Sequence, residues 1–179
     1  MTAGSVDAVP AGAPSRAPAG APARAPILVL GLGNLLLSDD AAGLHLEAAL
    51  KAERGASPQV EFVDGGTQGL ALLDYLSNRR AVLVLDAVGL GAEPGSVHVL
   101  RGPAIDGLRV QRATTAHEGN ALELLAVARL LGDEAAEIVV IGVEPAHIAT
   151  GIGLSPEVTA GLGEAMERAR AVLDSMLRR

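Results

Sequence analysis

The sequence predicts an α/β fold with a mostly parallel sheet. Aliphatic runs typical of buried strands alternate along the chain with amphipathic patterns typical of helices, which is the arrangement of βαβ units. The first aliphatic run, from Ile27 to Leu30, lies between Pro26 and Gly31 and is typical of a central parallel strand covered on both faces. Ligands of such sheets bind at the carboxyl ends of the strands. Polar residues that follow the strands are therefore the candidates for function.

The chain of 179 residues divides into a tail and one domain. Residues 1–25 are nearly all Ala, Pro, Gly and Ser, with Asp7, Arg16 and Arg24 as the only charged side chains. Such a segment cannot bury enough apolar surface to become ordered, so we expect a disordered tail. Residues 26–179 have the length of one ordinary domain.

The first half of the domain predicts three strands and two helices. After the first strand, Ser38 or Asp39 is a candidate N-cap for a helix over about residues 40–53. A short strand at 60–63 ends in a glycine turn whose last residue, Thr67, is a candidate cap for a helix over about 68–77. The third strand, 81–86, closes on Asp86.

The second half predicts two more strands and two more helices. Residues 96–101 follow a turn and are typical of an edge strand. The sequence allows this strand to run either parallel or antiparallel to its neighbour. A helix over about 119–131 and a strand over 137–143 come next. Ser155 is the predicted cap of the last helix, which has Pro156 in its first turn and a narrow apolar stripe.

Composition excludes several classes of function. The net charge is −7, the basic residues are scattered, and Phe62 and Tyr75 are the only aromatic residues, so a nucleic-acid partner is not expected. Without cysteine the chain has neither a disulfide framework nor a thiolate site. No apolar run reaches the roughly 18 to 20 residues of a membrane span, and the tail lacks the pattern of a secretory signal. We therefore expect a cytoplasmic protein.

Asp40, Asp86 and His117 are the candidate site residues. If the first strand lies between the second and the third, Asp40 and Asp86 face one crevice at the switch point of the sheet. Two carboxylates and an imidazole would suit a divalent transition metal there, with positions left for water or substrate. Each residue also has a purely structural interpretation: Asp40 as a first-turn acid favoured by the helix dipole, Asp86 as a solvated acid, and His117 as a surface histidine.

Other motifs leave alternatives open. The turn from Gly31 to Asn34 suggests dinucleotide binding, but Leu36 takes the place of the third glycine and the acids at 39–40 would repel a phosphate. Asp64 is a candidate supporting residue of the site. The loop over 144–156 could be a rim that grips an extended segment or a plain connection.

The sequence resembles the nickel-iron hydrogenase maturation endopeptidases, peptidase family M52, over about residues 26–170. The resemblance is carried by the order and spacing of several motifs, and the family's metal-contacting positions fall on Asp40, Asp86 and His117. The motifs are Gly31-Leu32-Gly33-Asn34-Leu35-Leu36-Leu37-Ser38-Asp39-Asp40, Asp64-Gly65-Gly66-Thr67-Gln68-Gly69-Leu70, Leu85-Asp86-Ala87, His117 and Gly151-Ile152-Gly153-Leu154-Ser155-Pro156.

The resemblance implies a fold, a substrate and a metal. The implied fold is a three-layer α/β/α sandwich of the phosphorylase/hydrolase-like kind, with a five-stranded, mostly parallel sheet. The implied protein is a monomeric, nickel-dependent protease. It removes the C-terminal extension of a hydrogenase large-subunit precursor once nickel has been inserted. Nickel would be carried by the precursor and contacted by Asp40, Asp86 and His117. The alternatives are a non-catalytic chaperone that docks on the same precursor and a nucleotide-binding α/β enzyme.

Overall fold

The computed structural model describes residues 24–105, 121–132 and 135–179. These residues contain a five-stranded sheet in which every strand was expected from the sequence. The strands are β1 (Ile27–Leu32), β2 (Val60–Gly66), β3 (Ala81–Ala87), β4 (Val97–Arg101) and β5 (Glu137–Val143).

The sheet has the order β2-β1-β3-β5-β4. β1 is parallel to both β2 and β3, and β3 is parallel to β5, whereas the edge strand β4 is antiparallel to β5. The predicted position of the first strand between the second and the third is confirmed. The carboxyl ends of β1 and β3 are therefore neighbours, as the predicted acidic site requires.

Helices cover both faces of the sheet and give the three-layer sandwich. One face packs against α1 (Ala42–Arg54) and α4 (Pro156–Leu177), and the opposite face packs against α2 (Leu73–Leu76) and α3 (Ala121–Leu130). 3-10 turns at Ser38–Ala41 and Gly69–Leu72 precede α1 and α2. β1 and the first five residues of β3 are completely or almost completely buried, as expected for central strands with both faces covered.

Two predicted helix caps are wrong and one is confirmed. A 3-10 turn leads into α1, and neither Ser38 nor Asp39 caps the helix with its side chain. Thr67 does not cap the next helix, which follows a 3-10 turn that begins at Gly69. Ser155 caps α4 as predicted, since its Oγ accepts a hydrogen bond from the N–H of Val158 at 3.2 Å.

Two glycines allow the start of α1 to sit on the carboxyl edge of the sheet. A Cβ on Gly43 would lie 2.2 Å from the carbonyl oxygen of Leu85 and 2.5 Å from that of Leu32. Gly33 has a φ of +130°, and a Cβ there would lie 1.8 Å from the carbonyl oxygen of Asp40. Only glycine fits such close backbone contacts. These contacts fix the turn that carries Asp40 against the ends of β1 and β3.

Part of the sequence-based interpretation concerns residues outside the described ranges. Residues 1–23 of the predicted tail lie outside them, whereas the carbonyl oxygen of Ala25 accepts a hydrogen bond from Arg79 Nη1 at 2.6 Å. His117 also lies outside the described residues. Within the described ranges, no helix is long and apolar enough to cross a membrane.

Candidate active site

Asp86 lies at the carboxyl end of β3 and is 5% exposed. Its Oδ1 accepts a hydrogen bond from the N–H of Ala87 at 2.8 Å, and its Oδ2 accepts one from the N–H of Ala121 at 3.2 Å. Ala121 is the first residue of α3, so a carboxylate at this end of the helix is also favoured by the helix dipole. The two bonds hold the carboxyl group at the edge of the sheet.

The surroundings of Asp86 bring its pKa close to neutrality. Burial is the main reason that the pKa of Asp86 rises from 3.8 to about 7. The N–H groups of Ala121 and Ala87 lower this pKa, and the negative charge of Asp40 raises it. A buried carboxylic acid with a neighbouring negative charge is typical of functional sites.

Asp40 belongs to the same site as Asp86. It lies in the 3-10 turn Ser38–Ala41, which packs against β3, and its side chain is half-buried. Its negative charge contributes to the raised pKa of Asp86, in agreement with the packing of this turn against β3. The structure therefore brings together two of the three predicted site residues.

The third predicted residue, His117, lies within residues 106–120, which are outside the described part of the chain. Ala121, four residues after His117, donates the hydrogen bond to Asp86 Oδ2. The chain therefore reaches the acidic site directly after the segment that contains His117.

Asp39 has a role that the sequence did not indicate. Its side chain is fully buried, and its carboxylate accepts hydrogen bonds from the backbone N–H groups of Ala146 at 2.9 Å, His147 at 3.1 Å and Ser155 at 2.6 Å. Burial alone would raise the pKa of Asp39, but these hydrogen bonds outweigh it and lower the pKa below its ordinary value. Asp39 therefore anchors the loop that follows β5.

The anchored loop also pairs with the glycine turn that follows β1. The N–H of Ser38 donates to the carbonyl oxygen of Gly151 at 2.9 Å, and the N–H of Gly151 donates to that of Leu36 at 2.9 Å. Ser38 adopts a φ of +49°, a conformation that most side chains avoid, and its Oγ donates to the carbonyl oxygen of Ala149 at 3.0 Å. The loop over residues 144–156 is thus hydrogen-bonded to the turn that carries Asp40.

A further buried acid, Glu144, organises the neighbouring loop. It accepts hydrogen bonds from the N–H groups of Leu90 and Gly91, at 2.7 Å and 2.9 Å, and its Oε2 lies 2.9 Å from His98 Nε2. Burial opposes ionisation, but these partners lower the pKa of Glu144 overall. The sequence signal was an acid directly after a buried strand, the same signal that singled out Asp86.

Asp64, the candidate supporting residue, lies exposed near the carboxyl end of β2. Its negative charge acts on Glu47 of α1, whose side chain is buried and whose Oε1 has no hydrogen-bond partner among the described residues. Burial is the main reason that the pKa of Glu47 is raised; the charge of Lys51, 3.8 Å away, lowers it, and the charge of Asp64 raises it. These acids form a second cluster, beside β1 and β2.

The pair of Asp40 and Asp86 suits binding of a cation or transfer of a proton. Both groups offer oxygen ligands, and a divalent cation between them would remove the repulsion that favours protonation of Asp86. A carboxyl group with a pKa of about 7 can also exchange a proton at neutral pH. Oxygen ligands and an exchangeable proton are two features of sites that carry out metal-assisted hydrolysis.

Comparisons with known proteins point to one family. A family model described as hydrogenase maturation protease matches residues 44–172. The hydrogenase 2 maturation protease of Escherichia coli is 34% identical over 148 residues, which cover 82% of this chain and 90% of that protein.

Solved structures give the same result. The hydrogenase maturating endopeptidase HybD from E. coli superposes with a TM-score of 0.75 at 32% identity, covering 84% of this chain and 93% of that one. The [NiFe] hydrogenase maturation protease HybD from Thermococcus kodakarensis superposes with a TM-score of 0.60 at 28% identity, covering 82% and 97% of the two chains. The predicted family and the predicted fold are thereby confirmed.

Proposed function

Because the chain belongs to the hydrogenase maturation protease family, we propose that it removes the C-terminal extension of a nickel-iron hydrogenase large-subunit precursor after nickel insertion. The observation that carries this proposal is the placement of Asp40, in a turn that packs against β3, beside the buried Asp86 at the carboxyl end of that strand. Family membership favours this activity over a nucleotide-binding enzyme. The substrate is a protein, and the cleaved bond has to reach this edge.

Nickel enters the proposal as part of the substrate. Two carboxylates and one imidazole without any thiolate form a weak site for nickel, so the protease alone would bind it poorly. Asp40, Asp86 and His117 would instead complete the coordination of nickel that the precursor already holds. There the metal would polarise the scissile carbonyl or lower the pKa of a bound water.

Asp86 can exchange a proton with the substrate or with water, and Asp39 keeps a neighbouring loop in position. Burial and the charge of Asp40 raise the pKa of Asp86 to about 7, so that near neutral pH it would give up a proton readily on binding a cation. Asp39 takes no part in proton transfer; it keeps the loop after β5 fixed beside the acids.

The test is cleavage of two precursor forms by the purified protein. We expect the nickel-loaded precursor to lose its C-terminal extension, measured by mass spectrometry of the intact large subunit, and the nickel-free form to stay uncut. Asp40→Asn and Asp86→Asn should each abolish cleavage while the circular dichroism spectrum is retained. Glu164→Gln, which removes an exposed carboxylate on α4, is the matched control and should cleave normally.

The same assay separates the protease from a chaperone. A protein that binds the nickel-loaded precursor but never shortens it would contradict the proposed activity and support a docking role. Equal cleavage of the two precursor forms would contradict the substrate-borne metal.

A further inference from the structure

Four large aliphatic side chains are exposed on two loops at the carboxyl edge of the sheet. Leu35 and Leu36 follow β1 and are 52% and 61% exposed, while Ile148 and Ile152 follow β5 and are 49% and 89% exposed. We call these four residues the apolar rim. Single exposed aliphatic residues are ordinary, but several on adjoining loops are typical of a binding surface.

The backbone beneath the apolar rim is fixed by hydrogen bonds. The two loops pair through the bonds between Gly151 and the Leu36 carbonyl and between Ser38 and the Gly151 carbonyl. Asn34 Oδ1 accepts from the N–H of Leu36 at 2.9 Å, which closes the turn after β1. The backbone of the apolar rim is therefore ordered before a partner binds. Binding does not have to offset the conformational entropy of ordering these loops.

The apolar rim is continuous with the acidic site. Ser38, which ties the two loops together, is followed by the anchor Asp39 and then by Asp40 of the site. A polypeptide that reaches the acids from this side of the sheet must cross the loops that carry the rim. The rim is thus placed where a protease contacts the residues around the cleaved bond.

The composition of the two loops favours an apolar partner over a basic one. Residues 33–38 and 145–154 contain no Asp, Glu, Lys or Arg, and His147 is their only ionisable side chain. The carboxylate of Asp39, at the base of the loops, is enclosed by backbone N–H groups and is not available to a cationic peptide. Affinity at the rim must therefore come from apolar contacts and from backbone hydrogen bonds.

We propose that the apolar rim is a subsite for apolar side chains of the precursor segment next to the cleaved bond, an inference that rests on the proposed function. In this role the rim holds an extended stretch of the precursor while Asp40 and Asp86 act on the bond. Binding removes the four aliphatic side chains from water, which is the source of the affinity. The rim acts in substrate binding and takes no part in the chemical step.

The test compares two double variants that are matched in exposure. Leu36→Ser with Ile152→Ser removes two rim side chains that are 61% and 89% exposed. Leu131→Ser with Leu130→Ser, at the end of α3, removes side chains that are 62% and 86% exposed. Cleavage of nickel-loaded precursor gives KM and kcat, and the Kd for uncut precursor is measured in an Asp86→Asn background.

The rim variant should raise KM and Kd about tenfold or more while kcat stays within about twofold, and the control pair should match the unsubstituted protein. Equal Kd values for the rim variant and the control would overturn the subsite. A rim substitution that changes the oligomeric state of the protein alone would also overturn it, since the partner would then be a second copy. If the unsubstituted protein binds precursor without cutting it, the proposed function is wrong. The Kd comparison still tests whether the apolar rim binds the precursor.

Discussion

Asp39 and Asp40 are adjacent in the chain, yet one is fully buried as an anchor and the other is a half-buried member of the site. Asp39 is surrounded by backbone N–H groups from the loop after β5, whereas Asp40 acts electrostatically on Asp86. Substitutions at the two positions should therefore have different consequences. The first should affect stability and the second should affect catalysis.

Asp39→Asn should lower the free energy of unfolding by about 3 kcal/mol at neutral pH, because an amide cannot accept all three N–H hydrogen bonds of a buried carboxylate. The pKa of Asp39 is lowered by folding, so its stabilisation is present above the unfolded pKa and is lost as the pH falls through the folded pKa. Urea unfolding of variant and parent at about pH 7 and about pH 3.5 measures this difference. An equal loss at both pH values would contradict the role of the charge.

Gly43→Ala should destabilise the domain by about 3 kcal/mol or more, since the added methyl would overlap the carbonyl oxygens of Leu85 and Leu32. The start of α1 would have to move away from β3, and with it the turn that carries Asp40. The melting temperature and the rate of precursor cleavage should both be lower than in the unsubstituted protein.

Gly163→Ala is the matched control for that substitution. Gly163 lies in α4, and apart from its own helix backbone no atom of the described residues comes within 4 Å of the added methyl, so alanine should stabilise the helix by about 0.5–1 kcal/mol. Destabilisation of both variants to the same extent would show that the contact of Gly43 with the strand ends is not the cause.

The value of kcat/KM for precursor cleavage should rise with pH through about 7, the pKa of Asp86, because this profile reports ionisation of the free enzyme. Burial is the main cause of the raised pKa, and Asp40 contributes to it. Carbon-13 NMR of the Asp86 carboxyl group gives a measurement without substrate. In Asp40→Asn the Asp86 pKa should move down; an unchanged value would refute the coupling of the two acids.

Glu47→Gln should stabilise the protein by about 1 kcal/mol at about pH 8, because it removes a buried carboxylate whose Oε1 has no hydrogen-bond partner in the described part of the chain. The pKa of Glu47 is raised by folding, so the stability of the parent falls as the pH rises from the unfolded pKa through the folded one. The advantage of glutamine should therefore be smaller at about pH 4.5. Glu164→Gln, which alters an exposed carboxylate, should show no such pH-dependent gain.

His117→Ala should slow cleavage of nickel-loaded precursor by about tenfold or more, since it removes the imidazole from the proposed ligand set. The purified protein should contain no tightly bound nickel by elemental analysis, with or without this substitution. Stoichiometric nickel in the free protein would instead indicate a metalloprotease with its own ion. Thermal unfolding checks that the variant remains folded.

The sequence was sufficient to predict the strands, the position of β1 between β2 and β3, and the placement of Asp40 and Asp86 at the same edge of the sheet. Aliphatic runs identify central strands, and parallel strands bring the residues at their carboxyl ends to one edge. The roles of Asp39 and Asp40 could not be told apart, because two adjacent acids at the start of a helix look alike locally. The partners of Asp39 lie more than one hundred residues further along the chain. The failure of Ser38 and Asp39 as caps has the same origin, since both side chains are hydrogen-bonded to the loop after β5.

The anchoring of Asp39 also sets the order in which the site can be completed during synthesis. Its three N–H partners are 107, 108 and 116 residues further along the chain, and such distant contacts form late. On the ribosome, β1, the glycine turn and both acids emerge long before Ala146 and Ser155 are translated. A nascent chain that has not yet reached Ala146 thus carries Asp39 and Asp40 without the loop that Asp39 anchors.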